Sequence, residues 1–490
     1  MRILFRADSR KAQGLGHVVR VLALAEAAQH AGHQVFFSGD VEIPFGEDMV
    51  LALFGERFPR PQGPQELVEL ALRLQVDLVH IDTYEEQGPL KAVFEESGLL
   101  LSSTEDGNFG RRPAHLVIDS SPGCELERRP DDGSWRLLRG TSFTPIRPSL
   151  RDMDLPAELR DSAGSSELRV MVVMGGTDAR NLTQQVAGWW AASGVESTCY
   201  VVGGGVLDVT LSPGQRLVRW DPSPSVSGAF RAMDLVISAA GTTVWELASL
   251  GVSSAVVQTV DNQRDNYRFM TENRVAVGLG DASTGSVATE AAVGEIRSLL
   301  LDPRRRTALG DQAHSIVDGQ GSARVVGVWE DFVSPAHRGV SARPAGLGDA
   351  SLLFEWRNDP SVRAVSRQTS ELDWAGHASW VARTLSLPDR VLLIVEQDTK
   401  PVGTVRFDEV SPRVWESSIT IAPAERGKGL ALDILGAAER TLLAERDVEQ
   451  LVAEMLTDNV ASHRLFLKAG YAGGPATGRP GWQHLSKRVH

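Results

Sequence analysis

Three stretches of this 490-residue chain combine chemically useful residue types with a spacing that could place them. Gly14-Leu15-Gly16-His17 lies between an apolar run at 1–7 and the residues Val18, Val21, Leu22, Ala25 and Ala28, which recur with a helical period of three and four. A glycine turn therefore joins a first strand to a first helix. Gly14 and Gly16 let the backbone come close to a ligand, and a helix N-terminus offers unpaired N–H groups and a positive dipole end, a setting for a diphosphate. His17 at the helix mouth has a side chain of the type that can take a proton from water or a hydroxyl. In the second stretch an apolar run at 235–238 leads into Gly241-Thr242-Thr243, with Glu246 about one helical turn on. Backbone N–H groups and two hydroxyls there can hold phosphate oxygens, and the carboxylate can accept both hydroxyls of a ribose. Asn262-Gln263, one strand later, fits the same nucleoside-diphosphate ligand, with no metal needed. The third stretch is Arg426-Gly427-Lys428-Gly429-Leu430-Ala431, between an alternating strand at 415–421 and a helix at 432–444. Successive N–H groups on such a turn bind two phosphates, and side chains larger than glycine would block them.

The elements that must position these residues follow from the patterning. From 1 to about 150 strands and helices alternate, with strands at 34–38, 77–82, 99–103 and 116–119 and an amphipathic helix at 66–74. This rhythm indicates a parallel sheet with ligands at the carboxyl ends of its strands, where Asp82, Asp106 and Asp119 fall. Acids also terminate strands and cap helices routinely. The segment 150–167 is polar and strandless, and then the pattern restarts. A strand at 168–174 runs into Gly175-Gly176-Thr177-Asp178, one at 200–203 into three glycines, and one at 255–258 into Asp261-Asn262-Gln263. The segment 332–341 is short and polar with one proline, a linker by composition. Beyond it come a helix carrying Trp356-Arg357-Asn358 and stopped by Pro360, strands at 391–396, 402–408, 415–421 and 450–455, and Asn459 to Ser462 opening a last helix. The expected architecture is α/β: two Rossmann-like domains, 1–155 and 166–332, and an α+β domain at 340–490 that should fold alone.

Composition narrows the function. A hydrophobic content of 42% and a charged content of 23% are those of a globular protein. No apolar run approaches the roughly 20 residues of a membrane span. The net charge of −13 argues against broad nucleic-acid binding, which needs a basic face. Two cysteines, Cys124 and Cys199, make no disulfide framework and suit a reducing cytoplasm. No metal is expected, and the patterning does not indicate an oligomeric state.

A resemblance can now be named on ordered motifs: Phe5-Arg6-Ala7-Asp8, Gly14 to His17 with Arg20, Met174-Gly175-Gly176-Thr177-Asp178, Ala239 to Glu246, Asp261-Asn262-Gln263 and Val317-Asp318-Gly319-Gln320-Gly321. Residues 1 to about 332 resemble the UDP-sugar hydrolases of pseudaminic acid biosynthesis, which remove UDP from a diacetamido-trideoxy-altropyranose. More distantly they are similar to glycosyltransferases of the two-Rossmann GT-B fold. The resemblance implies a GT-B arrangement, His17 as catalytic base and UDP on the second half. One departure is Ser102-Ser103-Thr104-Glu105-Asp106-Gly107, where that family leads us to expect paired aspartates and a short aliphatic turn. This stretch would line the sugar side of the cleft.

The C-terminal region resembles the Gcn5-related N-acetyltransferases (GNAT). The turn from Arg426 to Ala431 is similar to the family's pyrophosphate turn for acetyl-CoA, and Asn459 and Ser462 to its closing helix beside the CoA arm. Trp356-Arg357-Asn358 with Val362-Arg363, and His377 with Trp380 three residues on, resemble the branch that acetylates sugar amines and protein N-termini. Phe466 stands where many members carry a tyrosine acid, so a water or Tyr471 would have to serve. The base could be Glu416 or His377. The whole reading is a cytoplasmic bifunctional enzyme acting on a UDP-linked amino-deoxy sugar, with acetyl-CoA as co-substrate. Its rivals are a glycosyltransferase, in which His17 activates a sugar or natural-product hydroxyl, and a sugar-nucleotide scaffold whose only chemistry is acetyl transfer.

Overall fold

The computed structural model describes residues 1–10, 14–85, 89–107, 109–156, 159, 167–175, 182–203, 207–221, 223, 226–283, 289–333, 339–364, 366, 368–473 and 481–489, and of Asn262 the backbone alone. The chain divides into two compact units. One holds Met1–Arg112, Ile118–Cys124 and Leu138–Trp329; the other holds Pro113–Val117, Glu125–Leu137 and Glu330–His490.

The first unit holds most of two Rossmann-like lobes; Leu116, Val117, Arg136 and Leu137 of the first sheet fall in the second unit. Strands β1 (Arg2–Ala7), β2 (Gln34–Ser38), β3 (Leu78–Asp82), β4 (Leu100–Glu105), β5 (Leu116–Asp119) and β6 (Arg136–Arg139) form a sheet of order β2-β1-β3-β4-β5-β6. β1 pairs in parallel with β2 and β3, and β3 with β4. Ile3, Leu4 and Phe5 are fully buried, as a strand covered on both faces requires. The second sheet has the order β12-β11-β10-β7-β8-β9. Its strands are β7 (Arg169–Val173), β8 (Ser197–Val202), β9 (Gln215–Trp220), β10 (Leu235–Ala239), β11 (Ser254–Gln258) and β12 (Val277–Asp281). All of its pairings are parallel. Strand order reverses between β1 and β3 in the first sheet and between β7 and β10 in the second. Such switch points open crevices at the carboxyl ends of the strands.

Helix Gly321–Val333 returns from the second lobe to the first. Its Trp329 is fully buried, packs against Phe5 and His80 at 5.8 and 5.3 Å between ring centroids, and donates to Ser102 Oγ at 3.1 Å. Two Rossmann-like lobes with a helix leading back to the first make the expected GT-B pattern.

In the second unit β13 (Val340–Pro344), β14 (Arg390–Gln397), β15 (Lys400–Ser411), β16 (Val414–Ile421), β17 (Gln450–Leu456), β18 (Ala472–Gly473) and β19 (Trp482–Arg488) form a mixed sheet of order β13-β14-β15-β16-β17-β19-β18. Helix Ala431–Glu445 covers one face, burying Ile434, Leu435, Ala438 and Leu442 against Val405, Phe407 and Trp415. Helices Ala350–Asn358 and Trp374–Ser386 cover the other, around Leu353, Val381, Leu392 and Ile394.

Residues 125–137 pack on that second helical layer. Arg129 is 1% exposed and its backbone N–H donates to Ser351 Oγ at 3.3 Å, Trp374 Nε1 donates to the Leu126 carbonyl at 3.0 Å, and Arg128 pairs with Glu355 at 3.0 Å. The second unit is therefore larger than the segment 340–490 expected to stand alone. The expected linker at 332–341 also differs: Phe332 and Val333 end the returning helix, Val340 and Ser341 open β13, and 334–338 lie outside the described residues.

Candidate functional sites in the two units

His17 sits in the first turn of helix Gly16–His30, which follows β1, and Asp82 ends β3. The register pairs Ala7 with Asp82, so the helix start and the acid meet at the switch point. His17 is 5% exposed and Asp82 1%. Their contact, Nδ1 to Oδ1, is 2.6 Å. Arg20, one helical turn beyond His17, donates from Nε to Asp82 Oδ2 and from Nη2 to Oδ1, both at 2.8 Å, and from Nη1 to Asp106 Oδ2 at 2.8 Å. Tyr84 Oη donates to the same Asp106 oxygen at 2.6 Å, and its ring meets the His17 ring edge-on at 4.4 Å.

The electrostatics settle the tautomer. Burial pushes the Asp82 carboxyl up, but the Arg20 guanidinium and His17 more than offset it and hold the group far below the usual carboxylate range. An ionised carboxylate only accepts, so His17 Nδ1 carries a hydrogen, and in the neutral ring Nε2 holds the lone pair. The 3.0 Å approach of Arg20 Nη2 to Nδ1 is then a contact between two donors that share Asp82. Burial, with the Asp106 charge second, raises the Tyr84 phenol above its ordinary value, so Tyr84 stays a donor. Such a group can act as a base, since the imidazole is oriented and charge-stabilised by a carboxylate that is itself fixed by an arginine. Asp82 and Asp106 thus belong to one network. Arg20 entered the sequence reading only as part of the resemblance motif, without a role of its own, and Tyr84 was not singled out. The three-residue spacing from His17 was the available signal for Arg20; Tyr84, two residues past a strand end, had none.

Gly14 has φ of +77°, and a Cβ added at Gly14 or Gly16 would meet nothing within 4 Å. At the second switch point Gly175 has φ of +87° after β7, while Gly176 lies outside the described residues. Gly241 precedes helix Thr243–Ser249, with Thr242 at its N-cap. Gln263 reaches back: its Oε1 accepts from Thr259 N and Oγ1 at 2.9 and 3.1 Å, and its Nε2 lies 3.7 Å from where a Gly241 Cβ would sit. The Asn262 side chain lies outside the described residues. Glu246 is 9% exposed and accepts from Arg147 Nη2 at 3.2 Å; burial raises its carboxyl against the pull of Arg147. Arg147, between the lobes, also donates to Ser227 Oγ at 2.9 Å.

In the second unit β16 and β17 pair in parallel at Val414, Trp415 and Glu416, while β16 continues to Ile421 and β17 to Leu456. The strands part just beyond Glu416, which is half-buried there. Gly427 and Gly429 adopt φ of +77° and +84°, and a Cβ on either would meet nothing within 4 Å. Leu430 and Ala431 start helix Ala431–Glu445. Lys428 is tied to Glu425 at 2.8 Å. Arg426 turns away from the glycines, toward the Ser361 hydroxyl and, at 3.5 Å, Asp359. Asn459 caps helix Val460–Lys468 by accepting from Ser462 N at 3.1 Å. An open, left-handed double-glycine turn at a 15-residue helix fits a pyrophosphate.

Several residues expected on the amine side serve packing instead. Trp356 is 7% exposed within the core of the second helical layer. His377 is 4% exposed, ringed by Phe354, Trp374 and Trp380, and its Nε2 faces the Ala350 carbonyl at 3.0 Å; burial lowers its pKa. Asn358 clips Leu372 from both sides, donating to its carbonyl at 3.1 Å and accepting from its N–H at 2.8 Å. Tyr471 is buried, donates to Glu439 Oε1 at 2.9 Å and meets Ser417 Oγ at 3.1 Å. Burial first and the Glu439 charge second push its phenol up. With the hydroxyl given to Glu439 inside the core, the expected role as acid is corrected to a core hydrogen bond. Glu416 is then the candidate base that the geometry retains. Among the described residues no cluster of His, Cys, Asp and Glu could hold a metal ion, and no helix is long and apolar enough to cross a membrane.

Residues 341–472 match the family described as Acetyltransferase (GNAT) domain, so this region is a GNAT domain. Over almost its whole length the chain is similar to the uncharacterized protein MJ1062 of Methanocaldococcus jannaschii, at 20% identity covering 96% of each. It is also similar to the spore coat polysaccharide biosynthesis protein SpsG of Bacillus subtilis, at 21% identity covering 68% of this chain and 98% of that one. The crystal structure of Acinetobacter baumannii MurG aligns with 67% of this chain and 98% of its own at 18% identity, with a TM-score of 0.49.

Proposed function

We propose that the chain is a bifunctional enzyme of nucleotide-sugar metabolism: its GNAT domain acetylates an amine on a UDP-linked amino-deoxy sugar, and its first unit hydrolyses the product to UDP and the free acetamido sugar. The observation that carries the hydrolytic half is the His17–Asp82–Arg20 group at the first switch point. With the hydrogen on Nδ1, His17 Nε2 takes a proton from water as that water attacks the anomeric carbon. Asp82, kept ionised by Arg20, stabilises the imidazolium that forms. The leaving diphosphate falls to the turn at Gly241–Thr243, with Glu246 for the ribose once the sugar hydroxyls compete with Arg147. The relative SpsG, named for polysaccharide biosynthesis, supports a sugar substrate.

Acetyl-CoA, when bound, supplies an activated acyl group. The turn from Arg426 to Ala431 would hold its pyrophosphate, with Asn459 and Ser462 beside it. Glu416, where β16 and β17 part, would take the proton from the amine, directly or through a water. Joining the two steps in one chain raises the local concentration of the intermediate. Incubating the full chain with an acetylated UDP-sugar and no acceptor tests the hydrolytic half. UDP release by chromatography is the expected result; release only on addition of a hydroxyl acceptor would make the first unit a glycosyltransferase, and none at all a binding scaffold.

A further inference from the structure

The face of the GNAT sheet that carries Glu416 also carries two arginines joined through one carboxylate. Side chains alternate across a strand, so the register assigns each residue to a face. Arg390 of β14 stands opposite Asp408 of β15, and Asp408 opposite Glu416 of β16. In the next row on that face Arg406 stands between Leu392 and Ser418. Helices Ala350–Asn358 and Trp374–Ser386 cover the face only in part: Leu392 is buried with them, whereas Ser418 is exposed and Glu416 half-buried. Asp408 Oδ1 accepts from Arg390 Nε, and Oδ2 from Arg406 Nε at 2.9 Å. The Arg406 guanidinium also lies over the Trp380 ring, 5.9 Å from its centroid, and Arg390 Nη1 reaches Thr384 Oγ1 at 3.4 Å. Neither guanidinium makes a further hydrogen bond among the described residues.

Arginines that hold this domain together close on carboxylates with the whole fork. Arg129 places Nη1 and Nη2 on Asp132, and Arg343 places both on Asp349 and its Nε on Glu396. Arg390 and Arg406 instead share one carboxylate through Nε alone. That fixes both guanidiniums, leaves Nη2 of Arg390 and both Nη groups of Arg406 for a ligand, and keeps one positive charge in excess. An oxyanion supplies the missing charge, and phosphate oxygens fit the planar donors of arginine. We propose that Arg390 and Arg406, positioned by Asp408, bind the diphosphate of the amine-bearing substrate while Glu416 receives its amine. This rests on the acetyl-transfer half of the reading above. Neighbouring strands lie about 4.8 Å apart, so the acid on β16 and the cations on β14 and β15 offer opposite charges to the two ends of one zwitterion, an ammonium sugar and its phosphate. The coenzyme's own phosphates have the Gly427–Gly429 turn, past the carboxyl end of β16.

The test is steady-state acetyl transfer by the full chain to three acceptors: a UDP-linked amino sugar, the 1-phosphate of the same sugar and the free sugar. The wild type should show a lower KM for the two phosphorylated acceptors. Arg390→Gln and Arg406→Gln are each expected to raise those two KM values about tenfold or more, the loss of one charge-assisted hydrogen bond. The kcat values, KM for the free sugar and KM for acetyl-CoA should hold. Asp408→Asn, which loosens both guanidiniums, should move the same two KM values in the same direction. Arg406→Lys keeps the charge without the fork, should fall between wild type and Arg406→Gln, and decides the matter if the glutamine variant does not fold. A raised KM for acetyl-CoA would give the arginines to the coenzyme, and an equal rise for all three acceptors would make them structural. Either result overturns the subsite, as does a wild type that treats the three acceptors alike. Absence of transfer to any of them would overturn the acetyl-transfer reading and the subsite with it.

Discussion

The two units assemble their sites in opposite ways. At the first switch point every charge has a partner: Asp82 and Asp106 each accept from Arg20, Asp106 from Tyr84, and His17 leans on Asp82. In the GNAT domain the glycine turn is bare, and most of the polar residues expected on the amine side are absorbed into packing. A site that moves a proton needs its base oriented and its counter-charge fixed before substrate arrives, so its groups are pre-paired. A site whose work is to hold anions gains by keeping donors unspent.

The strongest way to break that contrast is at His17. His17→Ala should lower UDP release by about 10² to 10⁴, the usual range for a lost general base, and leave acetyl transfer unchanged. Separate assays for UDP and for acetylated product on the same preparation decide it. Hydrolysis at the wild-type rate would mean that the pre-paired group has another purpose.

A second test uses pH and the core of the first unit. His80 is fully buried beside Ser102 and Thr104 and under Trp329, and burial lowers its pKa from 6.5 to about 4. The unfolded chain takes up a proton below about pH 6.5, whereas the folded chain does so only near 4. Stability from this group is therefore complete above about 6.5 and falls as the pH drops to 4, by about 3 kcal/mol in all. Denaturant melts of wild type and His80→Gln should converge over that window; parallel curves would show that the returning helix does not keep this ring dry.

How much of this was legible in the sequence differs between the units for a physical reason. β3, β5, β10 and β11 were readable because they are apolar runs closed by a polar or small residue. β9 was not, since Arg216 and Arg219 interrupt it on the sheet edge, nor was β12, with Gly278 and Gly280 inside it. His17, Asp82 and Asp106 stood out because chemistry at a strand end uses polar residues where the pattern is otherwise apolar. Asp82 and Asp106 taken singly were indistinguishable from helix caps. In the GNAT domain His377 and Tyr471 have residue types suited to catalysis, and nothing local shows that aromatic rings enclose one and Glu439 holds the other. Phe354 and Ala350 stand 23 and 27 positions from His377, and Glu439 stands 32 from Tyr471.

The smallest expected effect concerns where the GNAT domain ends, which decides whether the two sites are independent catalysts. Residues 125–137 contribute Arg128, Arg129 and the Leu126 carbonyl to the layer carrying Ser351, Glu355 and Trp374. Gly348 makes the closest approach: a Cβ there would stand 2.0 Å from the Leu137 carbonyl oxygen. Gly348→Ala should therefore force the segment and the helices apart and lower the stability of the GNAT domain by about 1–3 kcal/mol, the usual cost of overpacking. Acetyl transfer should fail at a lower temperature than in the wild type, while UDP release from an acetylated UDP-sugar persists. Unchanged thermal inactivation of both activities would mean that residues 125–137 only rest on the domain, and residues 340–490 expressed alone should then bind acetyl-CoA at full stability. If the substitution instead depresses both activities together, the segment is a shared structural element and the two catalysts stand or fall as one.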